Sequence, residues 1–113
     1  LVFKVDPAGN ESVFYNFTEE EVQPALSASS LLLDPAGNLY GATLYGGSIS
    51  EGTIFEISSQ GVYTMLHSFD FTDGAYPASG LVRDNAGNLY GSTSGGGNTG
   101  CSSGCGVIFK ITP

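Results

Sequence analysis

The sequence contains a single histidine, the residue type that enzymes use most often for acid–base chemistry, which makes His67 the first candidate for such a role. The stretch MLHSF at residues 65–69 aligns with VFYNF at residues 13–17, so His67 occupies the position of Tyr15. A large ring that fills space on a strand therefore explains His67 better than a catalytic role. The sequence offers no serine in a strand-to-helix nucleophile elbow and no histidines at metal-ligand spacing, and residues 95–97 lack the Gly-Lys-Ser/Thr ending of a phosphate loop. We expect no catalytic residue, no cofactor site and no metal site.

Two aspartates occupy the same place in two similar stretches, LLLDPAGNLYG at residues 31–41 and LVRDNAGNLYG at residues 81–91. Each begins a tetrad with turn chemistry, because an aspartate can accept a backbone N–H ahead of it and the closing glycine tolerates a left-handed conformation. A structural role in a tight turn explains both carboxylates without catalysis. The stretch DPAG at residues 6–9 has the same chemistry. The predicted turn residues are Asp6, Gly9, Asp34, Gly37, Asp84 and Gly87.

Two further acidic stretches could attract a cation. DFTDG at residues 70–74 loosely resembles a calcium loop, but it lacks the ligand spacing and the final bidentate glutamate of such loops, so we favour an acidic surface loop. Glu19, Glu20 and Glu21 fall at the corresponding connection between repeated units. We interpret them as a solvated connection, with weak cation binding as the alternative.

Two cysteines stand close together in the glycine-flanked stretch GCSSGCG at residues 100–106. A zinc site would need two further ligands, and the one histidine of the chain belongs to another segment. The sequence therefore favours a short-loop disulfide between Cys101 and Cys105 over a zinc site. Such a bond indicates an oxidising, extracytoplasmic setting.

Two tyrosines, Tyr45 and Tyr76, fall in or beside loops, where an aromatic face could stack on the apolar side of a sugar ring. Together with the long loops at residues 44–52 and 94–106, they are the candidates for ligand stacking. We interpret most of the other tyrosines as packing residues. Glycans are therefore one class of partner that this sequence could bind.

The composition excludes other partner classes. Eleven acids against three bases leave a formal net charge of −8, which repels phosphate backbones and anionic membrane surfaces. No apolar run approaches the roughly 18 residues that a membrane-spanning helix needs. We therefore expect no nucleic-acid binding and no membrane insertion. A hydrophobic content of 41% is sufficient to build a packed core.

The elements that must position these residues are short β-strands. Seventeen glycines and five prolines punctuate the 113 residues and leave no room for a long helix, so the sequence predicts an all-β protein. The repeat predicts four strands per unit. The first strand is apolar on both faces, which indicates burial on both sides. The predicted first strands are residues 31–33 and 81–82, the second 38–44 and 88–94, the third 1–5, 53–57 and 107–111, and the fourth 12–18 and 62–69.

Four antiparallel strands in roughly 50 residues are typical of a β-propeller blade. Residues 1–29 then supply strands three and four of a partial blade, residues 30–79 a complete four-stranded blade, and residues 80–113 strands one to three of a further blade. Two units cannot close a ring of four to eight blades. We expect either an excerpt from a longer tandem array or copies that associate to complete the structure.

Residues 80–93, with the sequence GLVRDNAGNLYGST, are followed by a glycine-rich loop and by GVIFKI at residues 106–111. This order closely resembles the tandem repeat of bacterial GloVer-containing proteins, and a more degenerate copy extends the likeness over almost the whole chain. The resemblance implies secreted or surface-displayed propellers without an assigned reaction. Ser30 in place of the opening glycine, Leu33 in place of the arginine and the cysteine-bearing insertion depart from the pattern.

The sequence therefore predicts a non-catalytic, extracellular or cell-surface β-propeller-type segment that acts as a structural or adhesive module. Unpaired sheet edges recruit partners, so self-association with other copies, or pairing with adjacent blades of an array or filament, is expected. Two alternatives remain. One is a carbohydrate-binding module that uses the tyrosines and long loops, and the other is part of a propeller enzyme whose active site lies outside these residues.

Overall fold

The protein is all-β in the part of the chain that the computed structural model describes, which comprises residues 1–18 and 30–113. Glu19, Glu20 and Glu21 lie outside the described residues. The described strands are β1 Val2–Val5, β2 Glu11–Tyr15, β3 Leu32–Leu33, β4 Leu39–Thr43, β5 Thr53–Ile57, β6 Tyr63–Ser68, β7 Val82–Arg83, β8 Leu89–Ser92 and β9 Ile108–Ile111. In these residues there is no helix, and therefore none that could cross a bilayer.

The strands form three antiparallel sheets in which neighbours in sequence are neighbours in space. The N-terminal sheet is β1-β2, the middle sheet is β3-β4-β5-β6, and the C-terminal sheet is β7-β8-β9. The second and third strands of a unit pair in the same register in both copies, with Leu39 opposite Ile57 and Leu89 opposite Ile111. The predicted hairpin order is thus confirmed, and none of the three described sheets closes into a barrel.

The middle sheet is covered on both faces. Because successive side chains of a strand point to opposite faces, Ile54 and Phe55 of β5 enter two different cores. Ile54 belongs to a cluster with Leu81 of the C-terminal sheet, whereas Phe55 belongs to a cluster with Val2 of the N-terminal sheet. Both Ile54 and Phe55 are 0% exposed. The three sheets therefore stack face to face, and the middle sheet lies between the other two.

Aromatic rings fill both interfaces. Phe17 packs its edge against Phe55 with ring centroids 5.3 Å apart on the side of the N-terminal sheet. Phe69 meets Phe109 at the same centroid distance of 5.3 Å on the side of the C-terminal sheet. Such edge-to-face pairs bury large apolar areas with a favourable quadrupole geometry. Each interface thus has a phenylalanine pair at its centre.

The outer faces of the two end sheets carry the same residue types without a cover. Ile108 holds the position of Ile54 in the repeat, yet it is 84% exposed, and Phe3 holds the position of Phe55 and is 59% exposed. The difference arises because the described chain supplies no sheet beyond either end. Position in the stack, and not residue type, decides burial here.

The expectation that the first strand is buried on both sides is wrong. Leu33 and Val82 are both 64% exposed, and each of these first strands contains only two residues. The physical reason differs between the two residues. Leu33, on edge strand β3, faces the side where the N-terminal sheet has only two strands and leaves a groove. Val82 lies on the outer face of the C-terminal sheet, which no described sheet covers. Only Leu81, immediately before β7, is buried.

A matched pair of conservative substitutions tests this burial difference. Ile54→Val removes one methylene from a closed core and should lower the free energy of unfolding by about 1 kcal/mol. Ile108→Val makes the same change on an open face and should cost less than about 0.5 kcal/mol. Urea denaturation at a dilute protein concentration measures both values, and equal costs would contradict the stacked arrangement.

Candidate functional site

The predicted turn aspartates are saturated by local hydrogen bonds. Asp34 Oδ1 accepts the backbone N–H groups of Ala36 and Asn38, both at 2.9 Å. Its Oδ2 accepts the Asn38 side-chain amide at 3.0 Å and the Tyr40 hydroxyl at 3.2 Å. Four donors on one carboxylate leave little capacity for a substrate or metal, so Asp34 is occupied in holding its turn.

Asp84 repeats this arrangement in the second copy. Its carboxylate accepts the N–H groups of Ala86 and Asn88 at 2.9 Å, the Asn88 amide at 2.8 Å and the Tyr90 hydroxyl at 3.0 Å. The hydrogen bond from the Asn88 side chain, assisted by the other donors and opposed by burial, lowers the pKa of Asp84 to about 2. The carboxylate is therefore charged under all ordinary conditions.

The same turn occurs in the N-terminal sheet with one donor fewer. Asp6 accepts the N–H groups of Ala8 and Asn10 at 2.9 and 2.8 Å and the Asn10 amide at 3.0 Å. Asn10 is the largest cause of a lowered pKa at Asp6. All three turns close on a glycine with positive φ, which only glycine adopts without strain. These glycines are Gly9, Gly37 and Gly87, with φ of 87°, 89° and 88°.

The long loops gather at the opposite end of the stack from these turns. Ala75 and Gly95 exchange backbone hydrogen bonds at 2.9 and 3.0 Å, and Gly97 N–H donates to the Phe71 carbonyl at 2.8 Å. The disulfide joins Cys101 and Cys105 further along the same loop as Gly95 and Gly97. Gly96 N–H donates to the Ser103 carbonyl of that loop at 2.9 Å. The residues after β6 and the residues after β8 therefore form one continuous loop end.

Tyr45 and Tyr76 come together at this loop end. Their ring centroids are 5.8 Å apart with an interplanar angle of 68°, and Tyr45 is 40% exposed. Tyr76 adopts a φ of 57°, which is unusual for a bulky side chain, and its N–H donates to the Glu51 carbonyl at 2.8 Å. The structure thus unites two residues that sequence reasoning singled out separately.

Glu51 completes this cluster, and sequence reasoning missed it. The negative charge of Glu51, together with a hydrogen bond to its carboxylate, raises the pKa of Tyr76. Among the described residues, Glu51 Oε2 is a buried side-chain oxygen without a hydrogen-bond partner. The cluster therefore offers an exposed aromatic ring at Tyr45, of the kind that stacks on sugar rings, while the Glu51 oxygen is buried within it. Its only signal in the sequence was its place in the loop that carries Tyr45.

A second unforeseen contact joins His67 to the acidic loop. His67 Nε2 lies 2.6 Å from Asp73 Oδ2, and the two side chains are 38% and 41% exposed. Asp70 Oδ1 accepts the Thr72 hydroxyl at 2.5 Å, while Asp73 Oδ1 accepts the N–H of Asp70 at 3.0 Å. The carboxylates of Asp70 and Asp73 thus hold the loop in place by hydrogen bonds within it. Within residues 1–18 and 30–113, no three or more His, Cys, Asp or Glu side chains are grouped so that they could hold a metal ion.

The two open sheet faces are the largest candidate interaction surfaces. The N-terminal face comprises Phe3 and Val5 of β1 with their cross-strand neighbours, which are Val13 and Glu11. The C-terminal face comprises Ile108 and Lys110 of β9 with their cross-strand neighbours Ser92 and Tyr90, and with Val82 opposite Tyr90. Each face is apolar at its centre and carries one charge, acidic on the N-terminal face and basic on the C-terminal face. The two faces are therefore complementary in charge.

Comparison with known proteins gives one match. The model of the Gloeobacter/Verrucomicrobia repeat family matches residues 1–113. No curated protein and no solved structure matches the chain.

Acid titration tests the role assigned to the turn aspartates. The pKa of Asp84 falls from 3.8 to about 2 on folding, so its stabilisation is fully present above pH 3.8 and is lost as the pH falls through about 2. Asp84→Asn should be less stable at pH 6 and should lose less stability between pH 4 and pH 2. Urea unfolding midpoints measured across this range show the difference, and parallel acid profiles of the two proteins would exclude the assigned role.

Proposed function

We propose, from the premise that the chain belongs to the Gloeobacter/Verrucomicrobia repeat family, that it is a non-catalytic structural repeat module whose function is to stack. In this proposal each of the three sheets belongs to a four-stranded β-propeller-type blade, of which residues 30–79 supply a complete one and residues 1–29 and 80–113 supply parts. The module acts at the cell surface or outside the cell, as a structural or adhesive element of a longer array or a self-associated assembly.

One observation carries this proposal, and it is the equivalence of the two interfaces inside the chain. At one interface, the face of the middle sheet that carries Ile54 packs against the C-terminal sheet. At the other, the face of the N-terminal sheet that carries Val2 packs against the middle sheet. Val2 and Ile54 are equivalent positions of the repeat. In both interfaces the Val2/Ile54 face of one sheet thus packs against the opposite face of the sheet that follows it in sequence. A further sheet can therefore be added at either end of the stack by the same contacts.

The partner that fits this geometry is another sheet of the same repeat, from an adjacent blade or another copy. The C-terminal face of one copy would pack against the N-terminal face of the next, and this contact would bury Ile108 and Phe3, which are exposed in the single chain. Two different surfaces meet in such a contact, so the association is head-to-tail and continues into a ring or a filament. Glu11 on one face and Lys110 on the other favour this pairing over two identical faces.

An oxidising location accords with this role. The disulfide between Cys101 and Cys105 belongs to the loop end and would persist outside the cytoplasm. A net charge of −8 keeps such a surface module apart from nucleic acids and anionic membranes. The disulfide therefore supports the extracellular proposal, and the charge supports a partner other than nucleic acid or membrane.

Complementary face variants test the stacking function. Phe3→Glu places a charge on the N-terminal face, and Ile108→Glu places one on the C-terminal face, while both residues are exposed in the single chain. We expect the unaltered chain to self-associate with rising concentration and each variant to remain monomeric. An equimolar mixture of the two variants should form a heterodimer, because each retains the face that the other has lost.

Sedimentation velocity distinguishes these outcomes. A monomeric unaltered chain at every concentration would overturn self-association through these faces. Self-association that survives both substitutions would show that another surface is used.

A second candidate function is glycan binding at the loop end, which the meeting of Tyr45, Tyr76 and Glu51 favours. A sugar ring could stack on the exposed Tyr45 ring, which packs edge-on against Tyr76. This function is compatible with stacking, since the loops lie at the ends of the strands and leave the sheet faces free.

Glycan-array binding with the full chain tests this second function. Tyr45→Ala should weaken binding by roughly tenfold, because it removes the stacking ring. Ile49→Ala is the matched control, since Ile49 is 53% exposed in the same loop and has no assigned contact. Equal binding by the two variants, or no bound glycan for the unaltered chain, would contradict glycan recognition at this site.

A further inference from the structure

A glycine–phenylalanine pair joins the second and third strands in both units that contain these two strands. Gly41 lies opposite Phe55, and Gly91 lies opposite Phe109. A Cβ atom at either glycine would lie 2.6 Å from the Cζ atom of the facing phenylalanine. The phenyl ring therefore lies across the glycine of the neighbouring strand, and any larger residue at that position would displace it.

Phe3 is the third phenylalanine of this series, but it lacks the glycine strand. It belongs to β1, which pairs with β2 in a sheet of two strands. In the described part of the chain, no strand occupies the other edge of β1, where the second strand stands in the other units. The Phe3 ring thus lacks, among the described residues, both a covering sheet on its face and a flanking strand at this edge.

An apolar groove lies beside this open edge. It has a volume of about 420 Å³ and runs between the N-terminal sheet and the first two strands of the middle sheet. Leucine side chains of the middle sheet form the floor of this groove. Among the described residues, the N-terminal sheet has no first and second strands to cover them, and Leu33 is 64% exposed. The lining includes Val2, Phe14, Leu31, Leu33 and Leu39.

We infer that the open edge of β1 and this groove bind a β-hairpin formed by strands one and two of the same repeat, supplied by another repeat unit. The hairpin extends the N-terminal sheet by strand addition, with backbone hydrogen bonds to β1 and small or apolar side chains in the groove. This goes beyond the proposed stacking function, because the contact is made at a sheet edge and not at a sheet face.

The register of the added hairpin follows from the two internal examples. Leucine of the Leu-Tyr-Gly sequence lies opposite the last residue of the third strand, and glycine lies opposite the phenylalanine. On β1 this places the leucine opposite Val5, the tyrosine opposite Lys4 and the glycine opposite Phe3. The glycine is the position that determines specificity, because it alone lets the Phe3 ring lie flat against the new strand.

A synthetic peptide of residues 80–94, GLVRDNAGNLYGSTS, tests this inference with the complete 113-residue chain. Fluorescence anisotropy of the labelled peptide measures binding, and amide hydrogen exchange locates the contact. We expect saturable binding and slower exchange in β1. Gly91→Val in the peptide should weaken binding at least roughly tenfold, because the added side chain meets the Phe3 ring.

The matched control is Gly80→Val in the same peptide. A Cβ at Gly80 meets only ordinary contacts, at 3.6 Å or more, so this substitution adds the same side chain without a clash. We expect the Gly80→Val peptide to bind like the original. Phe3→Ala in the chain should remove the difference between the two valine peptides, and the exposure of Phe3 means that this variant retains its fold.

Three results would overturn the inference: absence of binding, equal binding of the two valine peptides to the unaltered chain, and a difference between them that persists in Phe3→Ala. The peptide experiment is independent of the stacking proposal. Performed with the Ile108→Glu chain, which does not self-associate through its faces, the peptide experiment measures peptide binding without competition from other copies, and hydrogen exchange in β1 assigns it to the edge. The mixing experiment with face variants reports on the faces.

Discussion

The structure depends on one constraint, which is that each sheet of this repeat has apolar side chains on both faces. A strand such as β5 sends Ile54 to one side and Phe55 to the other, and both must leave water to contribute their hydrophobic free energy. A single sheet cannot cover itself, so stability comes from neighbours in a stack. Only the middle sheet meets this condition within the described chain, and the end sheets expose the same positions.

The two ends of the strands carry different kinds of connection, short turns at one end and long loops at the other. At one end, Asp34 and Asp84 organise short turns whose donors are all local, which keeps adjacent strands in register without occupying the sheet faces. At the other end, longer glycine-rich loops cross between sheets and bring Tyr45, Tyr76 and Glu51 together. Stacking is thus set by the faces and the turns, while the loop end is free to acquire a ligand. The stacking surfaces and the proposed ligand site are thus separated along the strand axis.

The repeat made the strands and hairpins predictable, because the alternation of apolar residues and the Asp-to-Gly turns are local features. The prediction failed at Leu33 and Val82, since an apolar residue on an uncovered part of a sheet looks the same in sequence as one under a neighbouring sheet. The pairing of His67 with Asp73, and the position of Glu51, depend on how loops from different strands meet. No local pattern contains that information. The exposure of Ile108 could not be predicted either, because it depends on the position of its sheet in the stack.

The most direct test of the stacked arrangement is a methyl NOESY spectrum of the isotopically labelled chain in dilute solution. The account predicts cross-peaks from the Ile54 methyl groups to Leu81 and from the Val2 methyl groups to the Phe55 ring or Ile57, with no such inter-sheet cross-peaks from Ile108. An Ile54 methyl that shows cross-peaks only to residues of its own sheet would contradict face-to-face stacking and, with it, the proposed function.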